Sequence, residues 1–237
     1  MKLTVLGMNG PYPEPGKACS GYLVTDGDTH IQLDAGCGTL ARLTGLTPPE
    51  TLSAVLLSHW HNDHVSDLLP MIYRLQAAGA VLDLYAPADE ASPVRQIVAS
   101  SGVFRVHDLS AGDTVQIGSV RLSAGPARHP VPALSLRLEN TGNVLCYTGD
   151  TNTVDGLEDF VRGCRLLLAD ALFPAETWSE NKPHLSATLA AELASACRAE
   201  KLILTHLSPA FDSLLLLREA QKIFRNARLA QPGLVVE

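Results

Sequence analysis

Residues 58–64 read Ser-His-Trp-His-Asn-Asp-His, so three imidazoles and a carboxylate fall within six consecutive positions, directly after the apolar run 54–57. A segment of this kind constrains the chain strongly. The run before it is short and wholly apolar, which suits a buried strand. The polar loop must then gather its side chains around something that rewards their density. Imidazole nitrogens and a carboxylate oxygen are the donors that Zn²⁺ and similar ions take up. A polar loop with solvent-facing histidines is the plain alternative, but three of the chain's eight histidines in six positions argue against it. Such a site belongs at the C-terminal end of a strand, where a rigid scaffold presents its loop.

The elements around this loop follow from period and punctuation. Strand-like runs occupy 3–6, 22–25 and 31–33, the last two joined by the turn chemistry of Asp26-Gly27-Asp28. Beyond the loop, apolar residues at helical spacing predict a helix over 65–78, stopped by Gly79. Strands are expected at 81–85, 103–106, 114–117, 120–123, 134–138 and 144–147, then buried ones at 166–168 and 202–204. Ser186 is placed to cap a helix reaching about residue 199, and a last helix is expected over 213–226. There is no repeat, low-complexity tract or linker, so residues 1–237 read as a single domain. The layered arrangement that suits this order is an α/β fold, two β-rich sheets with helices on their outer faces, in a four-layer αββα sandwich.

Composition sets limits on partners and compartment. The chain has 25 acidic against 18 basic side chains, a formal charge of −7, which gives no general attraction to a nucleic-acid backbone or an anionic membrane. A small phosphorylated substrate stays compatible, since bound cations invert the charge of a site locally. The five cysteines are odd in number, widely spaced and form no CxxC, which disfavours a disulfide framework and suits a reducing compartment. The opening apolar run is too short for a signal peptide, and no stretch approaches a membrane span. A cytoplasmic protein is the expectation.

The pattern His-x-His-x-Asp-His resembles that of the metallo-β-lactamase superfamily, and other segments match that family in order. His129 in Ala-Arg-His-Pro-Val, Asp150 in Tyr-Thr-Gly-Asp-Thr and His206 in Leu-Thr-His-Leu-Ser fall where the family supplies its remaining ligands. Taken singly, His129 reads equally as a surface histidine and Asp150 as a turn residue; in this order, each at a strand end, they support one another. Asp34, in Leu-Asp-Ala-Gly, matches an early family segment in which the aspartate is structural. The resemblance implies two divalent metal ions, Zn²⁺ first with Mn²⁺ or Fe as alternatives. One would be held by His59, His61 and His129, the other by Asp63, His64 and His206, with Asp150 bridging. A hydroxide between such ions has a lowered pKa and attacks a polarised centre.

Within the family the chain is most similar to the ribonuclease Z-like branch of phosphodiesterases, along its whole length. Asp170, in Leu-Ala-Asp-Ala-Leu-Phe, and His184, in Lys-Pro-His-Leu-Ser-Ala, fall where that branch has an acid and a catalytic histidine. The resemblance implies that His184 stabilises the attacked phosphoryl group or protonates the leaving oxygen, that Asp170 orients it, and that Asp63 doubles as acceptor of the attacking water's proton. His184 also reads as a helix-entry residue, and Asp170 as a strand-end structural one. A departure is plain at 138–144, where a tight hairpin replaces the long tRNA-gripping arm, with no compensating basic cluster. tRNA is therefore disfavoured as a partner, and a small or cyclic phosphodiester is preferred. A homodimer is a family-level expectation.

Other functions share the ligands. A glyoxalase II-like thioesterase uses the same seven residues, and the His184 segment is what favours phosphodiester chemistry over it; a lactone hydrolase is a further alternative. A β-lactamase is disfavoured by Asp150 and by the absent leader. A diiron oxidoreductase would carry a glutamate in place of His61, and a non-catalytic scaffold would have lost ligands. The loops at 11–18, 173–183 and 208–212 are expected to shape substrate choice.

Overall fold

The computed structural model describes all 237 residues. Six strands of the first half, β1 (Lys2–Gly7), β2 (Gly21–Asp26), β3 (Thr29–Ala35), β4 (Ala54–Leu56), β5 (Leu82–Pro87) and β6 (Phe104–Leu109), alternate with four helices. Those are α1 (Thr39–Leu43), α2 (Asn62–Val65), α3 (Leu68–Ala78) and α4 (Pro93–Ser100). The second half holds β7 (Thr114–Ile117), β8 (Val120–Gly125), β9 (Ser135–Asn140), β10 (Asn143–Tyr147), β11 (Leu166–Asp170), β12 (Lys201–Thr205) and β13 (Ala227–Leu229). Its helices are α5 (Leu157–Val161), α6 (Ala187–Ala196) and α7 (Ser213–Gln221), and a short terminal β14 (Val235–Val236) returns to the first sheet.

The strands form two seven-stranded sheets, ordered β14-β1-β2-β3-β4-β5-β6 and β13-β12-β11-β10-β9-β8-β7. Side-chain alternation then assigns the layers. In β2, Tyr22 and Val24 enter the core between the sheets, which Leu122, Leu136 and Tyr147 share from the other side. Leu23 faces the opposite way and joins Val55, Leu57, Met71 and Leu75 beneath α3. Ala190, Ala194 and Leu216 of α6 and α7 cover the outer face of the second sheet. The arrangement is the αββα sandwich expected from the order of elements. No helix is long and apolar enough to cross a membrane.

Most expected strands lie within two residues of their observed bounds, and the turn at 26–28 closes β2 onto β3 with Asp26 paired to Thr29. The hairpin at 138–144 is a two-residue turn: Asn140 pairs with Asn143, and Gly142 takes a left-handed φ of 94°. One helix differs. The stretch expected as continuous over 65–78 is broken into α2 and α3, because Asp67 is claimed by tertiary hydrogen bonds. Its N–H donates to the Ala35 carbonyl at 2.9 Å, and its carboxylate accepts from the Leu40 N–H at 2.7 Å at the start of α1. The Ser186 cap is in place, accepting from Leu189 N–H, while α6 and α7 end sooner than expected. Helix α4, capped by Ser92 with Pro93 at its first position, is an addition that the sequence reading passed over.

Candidate metal centre and catalytic site

Both sheets deliver their C-terminal strand ends to one edge of the sandwich, and there the structure brings together every ligand candidate. The loop after β4 carries His59 and His61, and α2 carries Asp63 and His64. His129 follows β8, Asp150 follows β10, and His206 follows β12. The ligand atoms of His59, His61 and His129 lie within 4.8 Å of one another. A second group, Asp63, His64, Asp150 and His206, meets the same limit. Asp150 Oδ2 lies 3.2 Å from Nε2 of both His64 and His206, 3.6 Å from His59 Nε2 and 4.0 Å from His129 Nε2. It faces both groups, the place expected of a bridging carboxylate.

Each ring is turned by a partner on its far side. Asp34 accepts from His64 Nδ1 at 2.7 Å, so His64 Nε2 faces the cluster. Asp34 is itself held by Ser58 N–H at 2.8 Å, Ser58 Oγ at 2.9 Å and the Tyr147 hydroxyl at 2.7 Å. It takes a left-handed φ of 49°, which is uncommon outside glycine. Ser58 Oγ also meets His59 Nδ1 at 3.0 Å, and Pro183's carbonyl accepts from His129 Nδ1 at 3.2 Å. His206 likewise has a left-handed φ, 55°, and its ring lies flat against Gly10, where a Cβ would come within 1.9 Å of Nε2. At Gly149, φ is 58° and a Cβ would meet Ser58 Cβ at 2.7 Å, so only glycine turns the chain from β10 into Asp150.

The donor set fits divalent cations. Asp34, Asp150 and Asp170 are buried and Asp63 nearly so, yet no lysine or arginine reaches any of them; the only basic groups that do are imidazoles. Buried carboxylates demand compensating charge. The enclosed Asp150 Oδ1 and His64 Nε2 have no hydrogen-bond partner, although His64 Nε2 sits close to Asp150. His61 Nδ1 lies 3.1 Å from His59 Nε2 and 3.0 Å from His129 Nε2. Burial holds His59 well below its usual protonation range, lowers His61, and takes His129 down to about 4. Neutral His61 has at most one proton on Nδ1 for the two nitrogens facing it, so at least one nitrogen of the trio is left without a donor, a demand that a cation among them would meet. Around His64 the balance reverses: burial disfavours its charge, but Asp150 and Asp34 outweigh burial and raise the ring well above the usual range.

The two remaining site candidates adjoin the cluster. Asp170 ends β11, and its Oδ2 accepts from His184 Nδ1 at 2.8 Å. The same carboxylate accepts from the N–H groups of Thr151 at 3.2 Å and Leu172 at 3.1 Å, which lock its position. The His184 ring stacks on His206 at 4.8 Å between centroids. Burial works against a charged His184, but Asp170, with help from Asp150, lifts it to about 9. Asp63 is also displaced. Burial pushes its pKa up, yet the hydrogen bond from His206 and the charges of His64 and His206 bring it below the usual carboxylate value.

Sequence reasoning did not single out four participants: Ser58, Tyr147, Asn152 and Gly10. Asn152 is wholly buried and donates to the carbonyls of Lys182 at 2.6 Å and Ser179 at 3.2 Å, fastening the loop before His184 to the Gly-Asp-Thr segment. Its position two residues after Asp150 was its only sequence signal.

Comparison with known proteins identifies the family. Residues 29–207 match a family model described as a beta-lactamase superfamily domain. The chain is 30% identical to the probable metallo-hydrolase YhfI of Bacillus subtilis over the full length of both. A ribonuclease Z of Methanopyrus kandleri is 28% identical, covering 98% of this chain and 95% of that protein. The crystal structure of YhfI superposes with a TM-score of 0.93 at 27% identity, over 99% of this chain and 98% of that one.

Proposed function

The chain belongs to the beta-lactamase superfamily, as a metal-dependent hydrolase of the metallo-β-lactamase fold, and from that premise we propose that it is a dinuclear phosphodiesterase acting on a small or cyclic phosphodiester. His59, His61 and His129 would hold one cation, Asp63, His64 and His206 the other, and Asp150 both. When bound, such ions supply Lewis acidity and activate a water at neutral pH. Zn²⁺ suits the nitrogen-rich set best, with Mn²⁺ and Fe as alternatives.

The chain's own groups carry the rest. Asp63 stays ionised and has the most exposed carboxylate of the cluster, so it is suited to accept the proton of the attacking water. His184 binds Asp170 through Nδ1, which leaves Nε2 for the substrate, and the Asp170 charge favours its protonated form. A protonated imidazole at this position can bond a phosphoryl oxygen and hand a proton to the leaving oxygen. A thioester needs no such acid, because a thiolate leaves unaided. The His184–Asp170 pair beside the seven-residue cluster is the observation that carries this reading. The closed hairpin at Asn140–Asn143, where a nucleic-acid arm would otherwise emerge, supports a small substrate over tRNA.

Leaving-group dependence tests it. His184→Ala should slow bis(p-nitrophenyl) phosphate modestly, and a diester with a ribose alkoxide leaving group by the roughly 10²–10⁴-fold typical of general acid catalysis. Metal content should be unchanged. An equal slowing of both substrates removes the acid role. No effect on either, together with faster turnover of a thioester or lactone, overturns the phosphodiesterase reading.

A further inference from the structure

We propose that Arg128 and Lys182 form an anion subsite at the mouth of the centre, so that the preferred substrate carries a second phosphate-like group beyond the phosphodiester under attack; this rests on the phosphodiesterase reading above. A cleft of about 290 Å³ opens beside His129, lined by Arg128, His129, Glu180, Lys182 and Pro183 among others. His129 belongs to both the cleft and the cluster, so the cleft adjoins the centre. Neither cation is neutralised. The Arg128 guanidinium has only the Thr153 hydroxyl at 3.5 Å, and Lys182 touches the Thr177 carbonyl while its Nζ sits 4.3 Å over the Phe173 ring. Most other arginines of the chain are paired with carboxylates, including Arg74, Arg95, Arg105, Arg121, Arg137 and Arg162. In a protein of net charge −7, two cationic residues without carboxylate partners that line one cleft are a specific attraction rather than a general one, Lys182 needing only to turn its flexible side chain from Thr177.

Both are also held in place from the centre itself. The Arg128 N–H donates to Thr151 Oγ1 at 2.9 Å, and its carbonyl accepts from Asn152 N–H at 3.1 Å. Asn152 then grips the Lys182 carbonyl, and His129 Nδ1 the Pro183 carbonyl. The backbone of each cation is thereby tied to the segment that carries Asp150. A group bound between them has a fixed offset from the cluster, which is what a specificity subsite needs. Glu180 shares the cleft and opposes an anion there, which gives the test a control of opposite sign.

Calorimetry with adenosine 3′,5′-bisphosphate and adenosine 5′-monophosphate, on metal-loaded protein, decides the matter. The bisphosphate should bind about tenfold more tightly, as two partly exposed ion pairs allow. R128Q/K182Q should abolish that preference, Lys182→Gln alone should lose part of it, and Glu180→Gln should increase it, which a misfolded variant cannot do. Equal affinity for the two nucleotides, or a preference that survives in R128Q/K182Q, overturns the subsite. Hydrolysis is read separately, with p-nitrophenyl thymidine 5′-phosphate and its 3′-phosphorylated counterpart. If neither is cleaved while the binding preference holds, the reaction reading falls and the subsite stands. If both are cleaved equally and no binding preference is seen, the subsite falls and the phosphodiesterase stands.

Discussion

At the residue scale, the duties proposed for two carboxylates of the cluster are separable. Asp150 is the one group whose oxygen faces both donor sets. Asp150→Ala should therefore lower bound metal to one equivalent or less, with nearly complete loss of activity. Asp63→Asn keeps a weaker ligand but cannot take a proton, so activity should fall much further than metal content. Metal analysis beside turnover measurements checks both, and a fully active Asp63→Asn enzyme would exclude the proton-acceptor role. Asp170 acts through its neighbour. It raises His184 to about 9, so activity that depends on protonated His184 should decline as pH rises through a limb at or below that value, since bound cations repel the imidazolium. Asp170→Asn removes the charge that holds the proton, and the limb should move to lower pH. A pH–rate profile of an alkoxide-leaving diester reads it, and an unmoved limb would mean that Asp170 does not tune the acid.

At the element scale, what was legible in the sequence were features carried by local periodicity and by dense functional chemistry. The strands around 22–25 and 31–33 and the Ser186-capped helix announced themselves through alternation, turn residues and a cap. The loop at 58–64 did so through its ligands. What escaped depends on distant partners. Nothing local to 65–78 says that Asp67 will be taken by Ala35 and Leu40, so one expected helix became two. The left-handed backbones of Asp34 and His206 are imposed by hydrogen bonding and packing from elsewhere in the chain. The same logic makes Asp67 a junction. Asp67→Ala should cost about 1–2 kcal/mol, by analogy with loss of a helix cap, and loosen the start of α1, since the backbone bond to Ala35 is kept. Urea unfolding measures the cost, and a shift below a few tenths of a kcal/mol would show that water replaces the carboxylate freely. Gly149→Ala should be worse, since the added methyl meets Ser58 and the Leu134 carbonyl while the backbone stays left-handed.

At the scale of the whole molecule, the centre is also a seam. Its candidate ligands come from both sheets: His59, His61, Asp63 and His64 from the first, His129, Asp150 and His206 from the second. The core between the sheets is apolar, with Tyr22, Leu33, Leu136 and Tyr147 contributing, but at this edge buried carboxylates and imidazoles face one another. Cations bound there would compensate the carboxylates and tie the two halves, and they would bind the folded chain far better than an unfolded one. Mass action then sets the size of the effect. At a free metal concentration about 100 times Kd, one site contributes about 2.7 kcal/mol. For a chain of this length that corresponds to a rise in Tm of roughly 5–11 °C. Chelation should lower Tm by that amount or more, and Zn²⁺ should restore it in two stoichiometric steps if the sites differ in affinity. Asp150→Ala should lose at least half of that response to chelator, in step with the metal equivalents it no longer binds. A wild-type Tm indifferent to chelation and to added Zn²⁺, Mn²⁺ or Fe²⁺ would mean that the buried charges balance without a cation, and the dinuclear assignment would have to be given up.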